Sequence, residues 1–264
     1  MAQDFQLDRE LGSTFDKIAR EYDAIRPTYP KECIDSVREY SGLTATSRIL
    51  EVGCGTGQAT SFFLDAGHTV NALDIGQEMI GVAREKFRGR PAHFAVASFE
   101  EAAFPDDYYD LIFSATAFHW VDPTVRYIKS ARLLKAGGTL ALFWNIDTRQ
   151  GAPVRDAIDQ VYREVVPEEP DDRKRQSNFL TVTLEIKDEV EASGLFHSLQ
   201  VRRHPWSMRF STAEYLRLIA TYSYHRALSE AKQTELIRGI GEAVDSNGGL
   251  ISIQFENVTV LAKK

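Results

Sequence analysis

Cysteine is scarce in this 264-residue chain, with only Cys33 and Cys54 present. Neither stands in a C-x-x-C or similar ligand spacing, which argues against a disulfide framework and against a cysteine-bound metal; we expect no metal and a reducing, cytoplasmic setting. Basic charge is also short. Lys and Arg number 31 against 38 Asp and Glu, a net charge of -7, and phosphate backbones are held by clustered cations, so general nucleic-acid binding is disfavoured. No apolar run approaches the length of a membrane span, and the polar, acid-bearing stretch Met1 to Glu10 does not resemble a secretory signal. Repeats and low-complexity tracts are missing too. What remains is an ordinary globule, 43% hydrophobic and 26% charged, long enough to bury a full core as one large α/β domain.

Between Arg48 and Trp144 short apolar runs alternate with amphipathic segments, the pattern of a parallel sheet covered on both faces. Strands are expected at Arg48–Val52, Thr69–Leu73, His93–Ala97, Asp110–Ser114 and Thr139–Trp144, with helices at Gln58–Ala66, Gln77–Phe87 and Pro123–Leu134. Lys135-Ala136-Gly137-Gly138 reads as the turn from helix to fifth strand. Ahead of the sheet, Leu7–Ala24 is helical in pattern and stops at Arg26-Pro27-Thr28-Tyr29-Pro30; Lys31–Ser41 forms a second helix. Beyond it come helices at Val154–Val165 and Thr183–Ser193, with a charged exposed loop between them from Pro167 to Gln176. Leu199–Trp206 and Gly249–Lys263 have strand character and enclose helical stretches Ser211–Ser223 and Ser229–Val244. The expected fold is a doubly wound, seven-stranded, mostly parallel sheet with an antiparallel last strand and a helical cap. Residues 1–45 form an N-terminal flap, 46–145 the core, and 146–264 the cap helices and final strands.

One stretch carries chemistry. Glu51-Val52-Gly53-Cys54-Gly55-Thr56-Gly57 follows the first strand and opens a helix, and Asp74 ends the next strand. Glycines there let backbone approach a ligand closely, and an acid one strand on can grip a ribose diol. A dinucleotide would need room for pyrophosphate at the helix N-terminus and a G-x-G-x-x-G spacing. Here the glycines alternate and Glu51 precedes them, a poor neighbour for pyrophosphate but a good one for an ammonium and a sulfonium. The electrostatics favour S-adenosylmethionine over NAD.

These residues resemble the first motif of class I S-adenosylmethionine-dependent methyltransferases, and Leu73-Asp74-Ile75-Gly76-Gln77-Glu78-Met79-Ile80 resembles the second. Phe94–Glu100 stands at the third-strand position and Phe118-His119-Trp120-Val121-Asp122-Pro123 after the fourth. With Phe15–Asp23 and Arg26–Pro30, the likeness is to the small-molecule branch that includes trans-aconitate-type methyltransferases. It is close over residues 10 to 145 and looser beyond. The resemblance implies that Gly53, Cys54, Gly55 and Gly57 pass beside the methionine and ribose parts, with Glu51 near the amino end and Asp74 on the ribose. Ile75 and Met79 would pack on adenine, Phe99 would offer its amide, and Ser98 would replace the more usual Asp as an acceptor. Ala115, at the end of the fourth strand, would border the cofactor. Tyr22 and Arg26 would reach the cofactor's carboxylate from a folded-over flap.

For the acceptor, His119 is the candidate catalytic base, because it follows the fourth strand at the ligand-binding edge of the sheet and its pKa range permits proton abstraction. Together with Trp120 it equally serves as a pocket wall without chemistry. Tyr29, Tyr222 and His225 are further acceptor candidates. A carboxylate acceptor needs no base, whereas a phenol or amine does. No N-P-P-Y-type tetrad follows the fourth strand, which argues against methylation of a base or amide nitrogen. The function read from the sequence is methyl transfer to a small organic acceptor by a monomer or homodimer, with no nucleic-acid or membrane partner. A non-catalytic S-adenosylmethionine sensor and an NAD-dependent oxidoreductase are the alternatives. A large apolar cavity facing the sulfur would point to lipid-like or polyketide acceptors, and a small one lined by Arg and Tyr to a carboxylate.

Overall fold

The computed structural model describes residues 16, 18–148, 153–167 and 185–264. Most of the helix expected from Leu7 and the charged run Glu168–Arg175 lie outside the described residues. The strands are β1 (Arg48–Val52), β2 (Thr69–Asp74), β3 (Ala92–Val96), β4 (Tyr109–Ala115), β5 (Leu134–Asp147), β6 (His197–Ser211) and β7 (Leu250–Lys263). They form one seven-stranded sheet in the order β3-β2-β1-β4-β5-β7-β6. The β1 to β5 pairings are parallel, and β7 runs antiparallel to both β5 and β6.

Side-chain alternation along the strands builds two cores. Leu50 and Val52 of β1 share one face with Ile112, Leu140, Leu142 and Trp144. That face is covered by α5 (Arg126–Leu133) and by α7 (residues 185–192), which brings in Ile186 and Val190. Ile49, Val70, Leu111, Phe113, Ala141 and Phe143 face the other way. They meet Cys33, Ile34 and Val37 of α2 (Lys31–Ser41), Phe63 and Leu64 of α3 (Thr60–Asp65), and Ile80 of α4 (Gln77–Lys86). Each fully buried Leu, Ile or Phe contributes about 1.5–3 kcal/mol by leaving water. Glu51, two residues after Ile49, shares this second face, and that places a carboxylate inside an otherwise apolar layer.

The flap helix α1 (Ala19–Ile25) ends where Pro27 forces its predecessor out of helical geometry; Arg26 is extended, with ψ 135°. The cap has a simple construction. β7 pairs with β5 from Lys263 only as far as Phe255, while its pairing with β6 continues to Leu250. The two strands therefore project past the sheet as a ribbon. On that ribbon pack α6 (Pro153–Val165), α8 (Thr212–Ala220), α9 (Ser223–Arg226) and α10 (Glu230–Ser246), around Phe210, Ile219, Leu236, Ile240, Ile251 and Ile253. A capping box between Ser211 and Glu214 starts α8, satisfying backbone donors that the first helical turn leaves open.

One local expectation is corrected. Lys135–Gly138 is not a turn before the strand: α5 stops at Leu133 and β5 begins at once with Leu134 opposite Tyr109, regaining register only at Thr139 opposite Leu111. The glycines accommodate an irregularity within the strand, Gly137 having φ +75°. Among the described residues no helix is long and apolar enough to cross a membrane, and no cluster of His, Cys, Asp and Glu could hold a metal ion.

Candidate functional site

The chain leaves β1 toward α3 on one face and leaves β4 toward α5 on the other. The loops part between these two adjacent strands, and the crevice so formed at their carboxyl ends is where open α/β sheets bind ligands. A cavity of about 320 Å³ occupies it.

Gly53 begins the loop. Its amide and that of Cys54 both donate to the Leu73 carbonyl, at 2.9 and 3.0 Å, which ties the loop to β2. Gly53 has φ +71°, and a Cβ built on it would lie 2.4 Å from the Cβ of Ala117. Only glycine lets the β1 and β4 loops pass so closely. Gly53, Cys54 and Gly55 line the cavity. Gly57 does not; a Cβ there would strike Phe87 at 2.4 Å, so its glycine serves packing between loop and α4.

Two carboxylates open into the same space. Glu51 is 1% exposed and accepts from the Thr60 hydroxyl at the start of α3. Burial pushes its pKa up to about 8; the Thr60 bond opposes this and the nearby Asp74 charge adds to it. Asp74 accepts the Gly55 amide at 2.8 Å and the Gly76 amide at 2.9 Å. Burial raises its pKa, and those two amides hold it back. Ile75 and Met79 border the cavity beside it, as do Phe99 beyond β3 and Ala115 at the end of β4. Ser98 is turned elsewhere: its hydroxyl donates to Glu101 and accepts the Glu101 amide, and it is not among the lining residues.

The flap closes one side through Tyr22, Arg26 and Tyr29. Arg26 donates to the Thr221 carbonyl at 2.9 Å, its guanidinium lying over the rings of Tyr22 and Tyr222 at 4.7 and 5.1 Å. Instead of an isolated arm toward a ligand carboxylate, it joins flap to cap. Glu21 pairs with Arg217 of α8 at 2.5 Å, and Asp23 with Lys86 of α4 at 2.7 Å, so the flap is held from both sides. The Tyr29 hydroxyl bonds to Thr116, and desolvation moves it well above the ordinary phenol range.

Beyond β4, His119 and Trp120 sit in a single 3-10 turn, Phe118–Trp120, and line the cavity with their rings 4.7 Å apart. The fully buried Trp144 donates its indole N–H to Nδ1 of His119 at 3.4 Å. Desolvation, with the Arg126 charge, lowers the His119 pKa to about 4. The imidazole is therefore neutral, and with Nδ1 accepting, its proton belongs on Nε2. Tyr222 also lines the space, whereas His225 is buried in the cap with its Nε2 2.7 Å from the Tyr162 hydroxyl. Sequence reasoning missed Asn145 and Asp147 as cavity residues. They follow Trp144 at the carboxyl end of the fifth strand, and the rule that pointed to His119, that ligands bind at the carboxyl edge of such sheets, would have found them.

A central glycine crossing, two acids at the ends of β1 and β2, and this strand order define a Rossmann-like fold with a ligand-sized crevice at the carboxyl edge of its sheet. Residues 50–142 match the model of a methyltransferase domain. Over 216 residues the chain is 28% identical to an uncharacterized methyltransferase of Mycobacterium tuberculosis, covering 82% of this chain and 79% of that one. A ubiquinone/menaquinone biosynthesis C-methyltransferase of Vibrio campbellii is 34% identical over 131 residues, 46% of this chain and 48% of its own. Among solved structures, a protein of Anaeromyxobacter dehalogenans provisionally described as a type II methyltransferase superposes with a TM-score of 0.64 at 20% identity, over 90% of this chain and 97% of that one. The comparisons thus agree on methyltransferases as the class of enzyme that this chain is similar to.

Proposed function

We propose that the enzyme methylates a small organic molecule held between the β4 and β5 ends and the cap, with a carboxylate or hydroxyl oxygen or a comparable atom as nucleophile. The observation that carries this is the shared cavity: Glu51 and Asp74 line it together with His119, Trp120 and Tyr222. The donor set suits S-adenosylmethionine, since a buried carboxylate matches an ammonium and a rim carboxylate matches a ribose diol. When bound, that cofactor would supply an electrophilic methyl carbon, its bond to sulfur breaking with the electron pair on sulfur as the acceptor atom bonds to carbon; a carboxylate acceptor gives up no proton, and a hydroxyl acceptor would pass its proton to a carboxylate of the cavity wall, Glu100 or Asp147.

This chain's residues supply alignment and exclusion of water. Glu51 holds the amino end, and Asp74 the ribose hydroxyls. Ile75, Met79 and Phe99 sandwich the base, and Ala115 borders the cofactor. Tyr22, Arg26 and Tyr29 cover the flap side. His119 acts as an Nε2–H donor that orients an acceptor oxygen, because a base at Nε2 would need a tautomer that sets Nδ1–H against the Trp144 N–H. Imidazole ¹⁵N spectra of the protein with S-adenosylhomocysteine, assigned through His119→Asn, should show the Nε2–H form with no titration between pH 5 and 8. A His119 titrating near 6.5 would return it to the role of base.

The function itself is tested by calorimetry and labelling. S-Adenosylhomocysteine should bind and NAD should not. Asp74→Asn should weaken S-adenosylhomocysteine roughly 10- to 30-fold, about the 1.5–2 kcal/mol of one charge-assisted hydrogen bond. Methyl-labelled cofactor incubated with enzyme and cell extract should place label in the small-molecule fraction. Label confined to RNA or protein would overturn the small-acceptor reading.

A further inference from the structure

We infer that the methyl acceptor is an aliphatic amine, which leaves the site as a methylated ammonium ion; this rests on the methyl-transfer reading of the cavity and commits its nucleophile to nitrogen. Charge is the first reason. Among the described residues lining the cavity, Asp16, Glu51, Asp74, Glu100 and Asp147 are acids, and Arg26 is the cation facing them. Asp16 accepts the Glu78 and Met79 amides at the start of α4, and Asp147 pairs with Arg155 at 2.8 Å. Glu51 and Asp74 belong to the cofactor in the reading above.

That leaves Glu100. It is half-buried just beyond Phe99, and one of its carboxylate oxygens accepts the Asp122 amide at 2.9 Å, which sets it beside the turn that carries His119 and Trp120. Lys129 is bonded to the backbone carbonyls of Glu100 and Ala102, at 3.0 and 2.6 Å, and not to the carboxylate. Among the described residues no cation pairs with this carboxylate, so a ligand that brings its own cation relieves the cost of withdrawing it from water.

Rings are the second reason. Trp120 lines the cavity two residues before Asp122, and Phe255 lines it directly opposite Asp147 in the β5–β7 ladder. Each of these two acids therefore has an aromatic ring close by, and Trp206 steadies Phe255 by stacking on it at 4.9 Å. A ring face attracts a cation, more strongly in a water-poor pocket than at a surface. The neutral imidazole of His119 adds no competing charge. A carboxylate acceptor would meet the same acids, with Arg26 already bonded to the Thr221 carbonyl and lying over two tyrosine rings.

The reaction balances without a histidine base. An amine that arrives protonated gives that proton to the Glu100 carboxylate, which passes it to water; this also removes the amine's repulsion by the sulfonium. The nitrogen pair then bonds to the methyl carbon while the carbon–sulfur pair goes to sulfur, and the positive charge passes from sulfur to nitrogen beside the regenerated carboxylate. Acids and rings thus stabilise the charge where it develops. An aliphatic amine has its own lone pair, so it does not need the tetrad that serves amide nitrogens. The Nε2–H of His119 is left for a hydroxyl oxygen on the same molecule.

Calorimetry separates the two levels of inference. S-Adenosylhomocysteine is titrated first, and its failure to bind overturns the methyl-transfer reading and this inference with it. The loaded protein is then titrated with choline, with neohexanol, in which carbon replaces the choline nitrogen, and with the anion neohexanoate. We expect choline to bind about tenfold or more tightly than either. Glu100→Gln, which keeps an acceptor for the Asp122 amide, should erase most of that preference, and Trp120→Leu should cut it about fivefold. Retained binding of S-adenosylhomocysteine shows that each variant is folded. No preference for choline, tighter binding of neohexanol or neohexanoate, or a preference that either substitution leaves untouched overturns the amine acceptor and leaves the methyl-transfer reading intact.

Discussion

Glu51→Gln should cost the enzyme at least 100-fold in affinity for S-adenosylhomocysteine and at the same time make the free protein more stable at pH 8.5. Both effects have one cause. In the free protein Glu51 is buried beside Thr60 with its pKa pushed up to about 8 by desolvation, from an ordinary value of 4.5. A folded-state pKa above the unfolded one means that the folded protein binds this proton more tightly. The associated stability is fully present below pH 4.5, falls as pH rises toward 8, and is gone above it. At pH 8.5 the charged carboxylate penalises the fold by something on the order of 3–5 kcal/mol, which glutamine removes. Thermal unfolding of the two proteins at pH 5 and 8.5 should show the variant's advantage only at the higher pH. Equal melting temperatures at pH 8.5 would mean that the buried carboxylate is not strained.

The same proton marks binding. An ammonium placed against Glu51 favours its charged form, so uptake of S-adenosylhomocysteine near pH 7 should release close to one proton. Titrations in buffers of different ionisation enthalpy count it. Cofactor affinity should accordingly rise with pH up to about 8 and then level, a dependence that Glu51→Gln abolishes.

Gly53→Ala is the second large effect. The methyl group would have to occupy a point 2.4 Å from the Ala117 Cβ, on a residue with φ +71° that L side chains rarely adopt. Strain and overpacking together should cost about 2–5 kcal/mol of unfolding free energy. The loop can relieve them only by parting the β1 and β4 ends, and that also breaks the Gly53 and Cys54 bonds to Leu73. Denaturant unfolding and S-adenosylhomocysteine titration should therefore both be impaired. The double variant Gly53→Ala/Ala117→Gly should recover the part due to the clash, while leaving the part due to φ. No recovery would place the whole cost in the backbone.

Much of this was legible before the fold was known. The alternation of β1 to β5 and their helices, the late strands, and the acids Glu51 and Asp74 follow from local patterning, since burial on a sheet repeats every second residue and a glycine-rich turn needs only a few contiguous residues. Three assignments show where local reading stops. Gly57 looked like part of the ligand loop and is instead a packing contact with Phe87; Ser98 looked like an adenine acceptor and is spent on its own turn; His225 looked like an acceptor contact and is bonded to Tyr162. In each case the partner is decided by where a side chain points, which composition and spacing leave open.

The sequence by itself determined the parallel core, the glycine loop after its first strand and the places of the two acids at the strand ends. Tertiary structure decided the rest of the cavity wall, because it is assembled from segments far apart in the chain: the flap at Arg26, the turn at His119, the β5 end at Asp147 and the cap at Tyr222 and Tyr224. It also decided the state of His119. A histidine's pKa and tautomer depend on what surrounds it, and here those surroundings are a buried indole 25 positions away and a desolvated pocket.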